Sequence, residues 1–273
     1  MSGNWRSLNR ANWDERVPLH LGSALYDRAH LRARQGRLDA IAEAGLGDVA
    51  GLRIAHLQCH MGDDTLCLAQ RGAAEVVGLD FSAPAIAAAS CFAAELGLVQ
   101  ARFVQSDIHD APAALGTGYD LVFTSWGAIC WLPDIRAWAR VIAQLLRPGG
   151  ALFFAEAHPV ALVFDDAAPA DAQGRPGWDV PYFGGGPLEI HEFRDYADSE
   201  AVLSNSHTVQ WLHSLSDILG ALRDAGLRLE WLKEHPGCPW QMFRSLVRGP
   251  DGLWTWPDRA WLPLGISLRA TRE

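Results

Sequence analysis

The 273-residue sequence predicts an α/β fold built on a mostly parallel sheet with helices on both faces. Two observations carry this. Short apolar runs, of the kind buried on both sides in a parallel sheet, recur through the middle of the chain. Helical stretches separate them, and several runs end on a polar or acidic residue, so the pattern alternates strand and helix. With 49% hydrophobic residues the chain has ample material for a core.

Residues 1–50 contain NWDERVPLH, then a helix predicted from about Ser23 and a second from about Gly36 to Ala44. Ile54 to Leu57 is the first strand, and Gln58-Cys59-His60-Met61-Gly62 a polar turn into a helix. Val76 to Leu79 is the second strand, ending on Asp80. Ser82 caps a helix that runs to Leu96, with Pro84 tolerated in its first turn. Ala101 to Gln105 is the third strand and leads into Ser106-Asp107-Ile108; Tyr119 to Thr124 is the fourth and leads into Ser125-Trp126-Gly127. Ile135, Trp138, Val141, Ile142 and Leu145 share one helical face. Leu146-Arg147-Pro148-Gly149-Gly150 then turns into a fifth strand, Ala151 to Ala155.

A long Gly- and Pro-rich stretch follows, Pro159 to Ser206, including Pro181-Tyr182-Phe183-Gly184-Gly185-Gly186-Pro187. Connections of that length are usually functional, so it reads as a substrate lid or, alternatively, as a disordered or oligomer-forming loop. His213-Ser214-Leu215-Ser216-Asp217 opens a helix carrying Ile218, Leu219, Leu222 and Ala225, stopped by Gly226. Leu227 to Leu232 and Gly265 to Thr271 are the last two strands. Between them, Glu234 to Pro263 holds Trp240, Trp254, Trp256 and Trp261, as either a second pocket wall or a contact with another subunit.

Residues Arg53 to Ser82 carry the strongest functional signal. In open α/β sheets ligands bind outside the carboxyl ends of the strands, where an acid such as Asp80 can accept hydrogen bonds from both ribose hydroxyls. Gly62 lets backbone approach a ligand closely. The turn lacks G-x-G-x-x-G, and the Gln58 and His60 side chains would crowd a pyrophosphate, so a nucleoside without phosphates fits better.

This arrangement resembles the class I S-adenosylmethionine-dependent methyltransferases, whose first motif runs acidic-x-Gly-x-Gly-x-Gly. His56 stands at the acid, Gln58 and His60 replace two glycines, and Gly62 is kept. LQCHMGDDTL followed by GLDFS is similar to a bacterial subgroup of small-molecule methyltransferases, and the LRPGG turn also fits; the likeness covers residues 51–158. The resemblance implies a three-layer Rossmann-like sandwich with a seven-stranded, mostly parallel sheet whose last strand is antiparallel. It implies one methyltransferase domain over 1–273: a helical cover (1–50), a cofactor-binding core (51–158), an inserted lid (159–206) and a C-terminal part (207–273). It also implies S-adenosyl-L-methionine as cofactor, S-adenosyl-L-homocysteine as product, and in-line methyl transfer to a small-molecule acceptor. Gln58, Cys59, His60 and Gly62 would face the methionine end and Asp80 the ribose, with Thr65, Phe81 and Ser82 also binding the cofactor. Asp107 and Ile108 would face the adenine, and Ser125 and Trp126 would flank the sulfonium.

Holding two reactants in line supplies on the order of 7 to 11 kcal/mol, so a dedicated base is optional. If one is used, histidine suits it, and His158 or His213 are the candidates, as structural hydrogen bonding is the alternative for each. Trp126, Trp131, Tyr182, Trp211 and Trp240 could form an aromatic box for a cation. Trp13, His20 and Tyr26 either line the cover or pack it to the sheet. No metal is expected, because His56 and His60 lack a third ligand. The net charge of −9 without a basic stripe argues against nucleic acid. Five scattered cysteines imply reduced thiols, and the absence of an apolar span or leader implies a cytoplasmic protein with no membrane partner, open to homodimerisation. Two rival readings stand: an NAD-type oxidoreductase on a related sheet, and a protein that binds the nucleoside without methylating anything.

Overall fold

The structure, a computed structural model, describes residues 4–172, 175–183, 186–198 and 200–273. Its main sheet has seven strands: β1 (Arg53–Leu57), β2 (Glu75–Asp80), β3 (Ala101–Gln105), β4 (Tyr119–Ser125), β5 (Leu146–Ala157), β6 (Leu227–His235) and β7 (Gly265–Arg272). Their order is β6-β7-β5-β4-β1-β2-β3. β1 to β5 pair in parallel, and β7 enters antiparallel between β5 and β6. The chain reverses its direction of growth between β1 and β4, which opens a crevice at their carboxyl ends.

Helices α1 (Trp5–Gly22), α2 (Ala29–Arg32), α3 (Ala40–Leu46), α4 (Asp63–Gln70), α5 (Ala83–Leu96), α6 (Ala111–Leu115), α7 (Ile135–Leu145) and α8 (Leu215–Asp224) surround the sheet. Side chains alternate along each strand. Ala55, Leu57, Val122, Leu152 and Phe154 face one way and pack on Trp138, Ile142 and Leu145 of α7 and on Ile218 and Leu222 of α8. Ile54, Val76, Leu121, Phe123 and Phe153 face the other way, onto Leu66 and Leu68 of α4 and Phe92 and Leu96 of α5. Both faces are therefore covered, which explains why the strands read as nearly unbroken apolar runs. Ser82 caps α5 by accepting from the Ala85 amide, and Ser214 and Asp217 form a reciprocal capping box on α8.

Four expectations change. The N-terminal helix does not begin near Ser23: α1 runs through NWDERVPLH to Gly22, and after Ser23 come only a 3₁₀ turn, Ala24–Tyr26, and the four-residue α2. The face α1 buries is Asn9, Asn12, Arg16, Val17 and His20, a mostly polar stripe at helical spacing that an apolar search misses. Leu146 to Gly150 is not a separate turn, since it is already part of β5, with a register shift against β4 where Leu146 pairs with Tyr119. The long connection carries paired strands, Phe164–Asp165 with Gly177–Trp178 and Leu188–His191 with His207–Gln210; Gly184 and Gly185 lie outside the described residues. Finally, the Trp-rich excursion has a core of its own, in which Cys238, Phe243, Leu246, Trp256 and Leu264 pack with Ala161. Its small sheet of Gly237–Cys238, Trp254–Thr255 and Val247–Arg248 supports that core.

Candidate active site

A cleft of about 840 Å³, counting its open mouth, lies outside the carboxyl ends of β1 to β4. Its floor is the turn after β1. Gln58, His60 and Gly62 there all have positive φ, at 55°, 48° and 77°. Two non-glycine residues in this region cost on the order of 1–2 kcal/mol each, a strain that functional turns commonly hold. Each side chain makes a tie that glycine could not. Gln58 Nε2 donates to the Ala128 carbonyl in the loop after β4 at 2.8 Å, and His60 Nε2 lies 2.8 Å from His20 Nδ1 of α1. Gly62 has a different reason from close approach to a ligand: a Cβ there would lie 2.4 Å from the Phe103 ring.

Asp80 ends β2 almost fully buried. Its Oδ2 accepts from the His60 amide at 2.8 Å and its Oδ1 from the Ser82 amide at 2.9 Å, which aims the carboxylate into the cleft. Burial pushes its carboxyl up to about 6, opposed by these amide donors. Each oxygen keeps a free lone pair for a further donor. Asp107 and Ile108 line the far side after β3. Asp107 is already engaged, accepting from the His109 amide and Nδ1 on one oxygen and from Arg6 Nε at 3.1 Å on the other. The hydrogen bond from His109, aided by Arg6, holds its carboxyl well below the usual range.

Trp126, at φ 32°, begins the loop after β4 and lines the cleft, with its Nε1 donating to Asp39 at 2.8 Å. The residue that shapes this loop is Glu156, buried at the end of β5. It accepts from the amides of Gly127, Ala128 and Ile129, and from its neighbour Ala157. Burial raises its carboxyl, and the four amide donors pull against that rise. A lone acid inside the apolar run ALFFAEA was its only trace in the sequence.

Of the sequence-predicted residues, Gln58, His60, Asp80, Phe81, Asp107, Ile108 and Trp126 meet at the cleft. Cys59, Gly62, Thr65, Ser82 and Ser125 are not in its lining. Thr65 is buried in a 2.8 Å hydrogen bond with His56 Nδ1, Ser82 Oγ donates to Asp14 of α1, and Ser125 Oγ donates to Asp64. Burial alone drives His56 down to about 3, so the motif's acidic position carries a neutral ring. His158 and His213 also lie outside the lining. His158 uses both nitrogens internally, accepting the Val160 amide and donating to Glu234, and His213 Nε2 donates to the Leu132 carbonyl. Both sit where the chain needs a hydrogen bond. Among the aromatic-box candidates Trp126 and Trp131 line the cleft. Trp211 is buried against Trp5, Trp240 stacks edge-on behind Trp126, and the Tyr182 hydroxyl accepts from the Leu215 amide.

Sequence reading missed part of the walls. Trp5, Arg6 and Asn9 come from α1, and Tyr196 from the long connection, to join Trp13 and Tyr26. Tyr26 and Tyr196 share a 2.6 Å hydroxyl contact that closes the wall. Among the described residues no group of three His, Cys, Asp or Glu side chains could hold a metal ion.

Residues 54–150 match the family model described as a methyltransferase domain. The chain is 35% identical over 118 residues to ubiquinone biosynthesis O-methyltransferase from Cronobacter sakazakii, covering 43% of this chain and 47% of that one. It is 33% identical over 118 residues to the protein of that name from Citrobacter koseri, with 43% and 47% covered. It thus spans about half the length of these relatives. Among solved structures, an S-adenosylmethionine-dependent methyltransferase from Mesorhizobium loti shares the fold (TM-score 0.58, 23% identity, 93% of this chain and 100% of that one). So does one from Clostridium acetobutylicum (TM-score 0.56, 13% identity, 90% and 92%). The chain therefore carries a methyltransferase domain over residues 54–150, set in the fold of the class I S-adenosylmethionine-dependent methyltransferases.

Proposed function

We propose that the protein transfers a methyl group from S-adenosyl-L-methionine to a small-molecule acceptor. The observation that carries this is the cleft beside the matched segment: Asp80 aims a carboxylate into it, and the buried Gln58 Oε1 has no hydrogen-bond partner among the described residues. A buried amide oxygen without a donor is costly, and an amino group on a ligand at the turn would relieve it. The residues fit the cofactor on that ground.

The cofactor, when bound, supplies a methyl group activated on a sulfonium. Asp80 would accept both ribose hydroxyls, and the backbone of the 58–62 turn would face the methionine end. Trp126 would present its ring to the positive sulfur, an attraction that strengthens as water is excluded. Trp13, Trp131 and Tyr196 would exclude that water and seat the acceptor. Asp107 would have to exchange Arg6 for an adenine donor.

In this reading residues 1–50 and 159–206 cover a core formed by 51–158, and the whole chain acts as one catalytic unit. The four reduced, non-exposed cysteines and the one exposed, Cys91, suit the cytoplasm. No helix among the described residues is long and apolar enough to cross a membrane. The exposed Trp178 and Phe183 would suit a homodimer contact, which sedimentation velocity would reveal.

Parallel calorimetric titrations with S-adenosylhomocysteine and NADH test the cofactor. Micromolar binding of the first alone is expected, and binding of NADH alone would overturn the reading.

A further inference from the structure

Three side chains form a chain that runs from the cleft lining into the protein interior and that cofactor binding does not require. His60 Nε2 lies 2.8 Å from His20 Nδ1, and His20 Nε2 lies 3.1 Å from Asp195 Oδ2. The His20 and Asp195 side chains are 0% exposed, whereas His60 is half-buried and lines the cleft.

Donor and acceptor chemistry orders the protons. A carboxylate only accepts, so His20 carries hydrogen on Nε2 and donates to Asp195. Neutral His20 then has its lone pair on Nδ1, and His60 must donate to it from Nε2. His60 Nδ1 is left with a lone pair and no hydrogen-bond partner among the described residues. Arg16 also donates to Asp195, at 3.0 Å, and to Glu192, while Arg28 is tied to Asp63 and the Met61 carbonyl. The remaining polar neighbours are the Tyr26 and Tyr196 hydroxyls and Asp80, which holds the His60 amide. Burial, with His20, Arg28 and Arg16 adding to it, lowers His60 to about 3, so the ring is unprotonated and by itself holds a proton poorly, and any proton it takes must be passed on toward Asp195. Burial also lowers His20, and Asp195 opposes that.

Resting on the methyl-transfer reading, we propose that His60, backed by His20 and Asp195, takes the proton of a planar hydroxyl acceptor seated among Trp13, Trp131 and Tyr196. The flat aromatic walls select a planar molecule: Trp13 stands edge-on to His60 at 5.1 Å and to Trp131 at 5.4 Å. A hydroxyl becomes a strong nucleophile only when its proton is removed, and the unpartnered Nδ1 lone pair of His60 is an acceptor for that proton. In the step, the acceptor O–H bond breaks and its proton bonds to His60 Nδ1, while the oxygen keeps the electron pair that attacks the methyl group. The proton on His60 Nε2 passes to His20 Nδ1, so the positive charge comes to rest beside Asp195. His60 is the catalytic residue, and His20 and Asp195 are positioning residues.

Two measurements on the full chain test this. Ring-nitrogen NMR of ¹⁵N-histidine-labelled protein, assigned with His20→Gln and His60→Gln, should show both rings as Nε2–H tautomers at neutral pH. Asp195→Asn should lower the pH at which the pair takes up a proton by about one unit, a tenfold change. 4-Nitrophenol is the acceptor probe. Bound to the native protein it should turn to the yellow phenolate about one pH unit or more below its free titration, and His60→Gln and Asp195→Asn should each remove that shift. If Asp195→Asn does not fold, His20→Gln tests the same link. An Nδ1–H tautomer on His60, an unmoved midpoint in Asp195→Asn, or a probe that does not bind or does not shift would overturn the proposal. S-Adenosylhomocysteine titration separates the two readings. A His60-dependent shift without cofactor binding keeps the relay and removes the methyl-transfer reading, and cofactor binding without the shift does the reverse.

Discussion

At the scale of single residues, the decisive side chain is Asp80. Its position at the end of a buried strand was legible because a short apolar run closing on an acid has few other uses in an open α/β sheet. Asp80→Ala should weaken S-adenosylhomocysteine binding by about 1.5 to 3 kcal/mol, since a charged acceptor of two hydroxyls is lost, and calorimetry would read it. The pH dependence has a definite sign. The carboxyl is held up to about 6 by burial, so it is ionised and fully accepting above that value and loses an acceptor site below it. Affinity should therefore fall as the pH is lowered through about 6, and the fall should be missing in Asp80→Ala. Glu156 is the residue the sequence hid, because an acid in a strand gives no sign of which amides it collects. Glu156→Ala would strand three buried or half-buried loop amides after β4, each worth about 1 kcal/mol or more, so a loss of roughly 3 kcal/mol in urea denaturation is expected.

At the scale of elements, α1 shows where reading by apolar periodicity stops. Its buried stripe is mostly polar and is held by hydrogen bonds to distant backbone and side chains, with Val17 alone packing in an apolar cluster. Asn9 pairs with both the amide and the carbonyl of Val209, Asn12 donates to the Asn205 carbonyl, and Glu15 accepts from the amides of Ser204 and Asn205. Such a helix is held by partners about 190 residues away in sequence, which no local pattern reveals. Pro18 further masks it, as a proline inside a helix costs a hydrogen bond. Arg16 is the pin: its side chain is 3% exposed and it meets Asn12, Asp195 and Glu192. Arg16→Ala leaves Asp195 buried without its cation, so a loss of about 3 to 5 kcal/mol is predicted by denaturant titration. Because α1 forms one wall, the same variant should bind S-adenosylhomocysteine more weakly and lose its N-terminal segment faster to limited proteolysis. By contrast, α5 and α7 were readable to the residue, since Ser82, Pro84 and the apolar face from Ile135 to Leu145 all act locally.

At the scale of the whole molecule, the sheet was legible and the walls around its ligand edge were so only in part, through Trp13, Tyr26 and Trp131. β1, β2 and β4 announce themselves by composition because both of their faces are covered, as do β5 and β7, whereas β3 at the edge leaves Arg102 and Gln105 exposed. Trp5, Trp13, Tyr26 and Tyr196 come together only through the docking of α1 against 192–210, a long-range event. His158 and His213 lie outside the cleft lining for a related reason. Strand ends supply candidates, but whether a ring turns inward depends on partners such as Glu234 and the Leu132 carbonyl. The central claim is that the cleft at the β1–β4 edge holds the cofactor with Asp80 on its ribose. A crystal structure of the full chain with S-adenosylhomocysteine tests that most directly. Both ribose hydroxyls are expected within hydrogen-bond reach of the Asp80 carboxylate, with the amino group on Gln58 Oε1 and Arg6 displaced from Asp107. A nucleoside bound elsewhere, or bound in the cleft with Asp80 untouched, would contradict it.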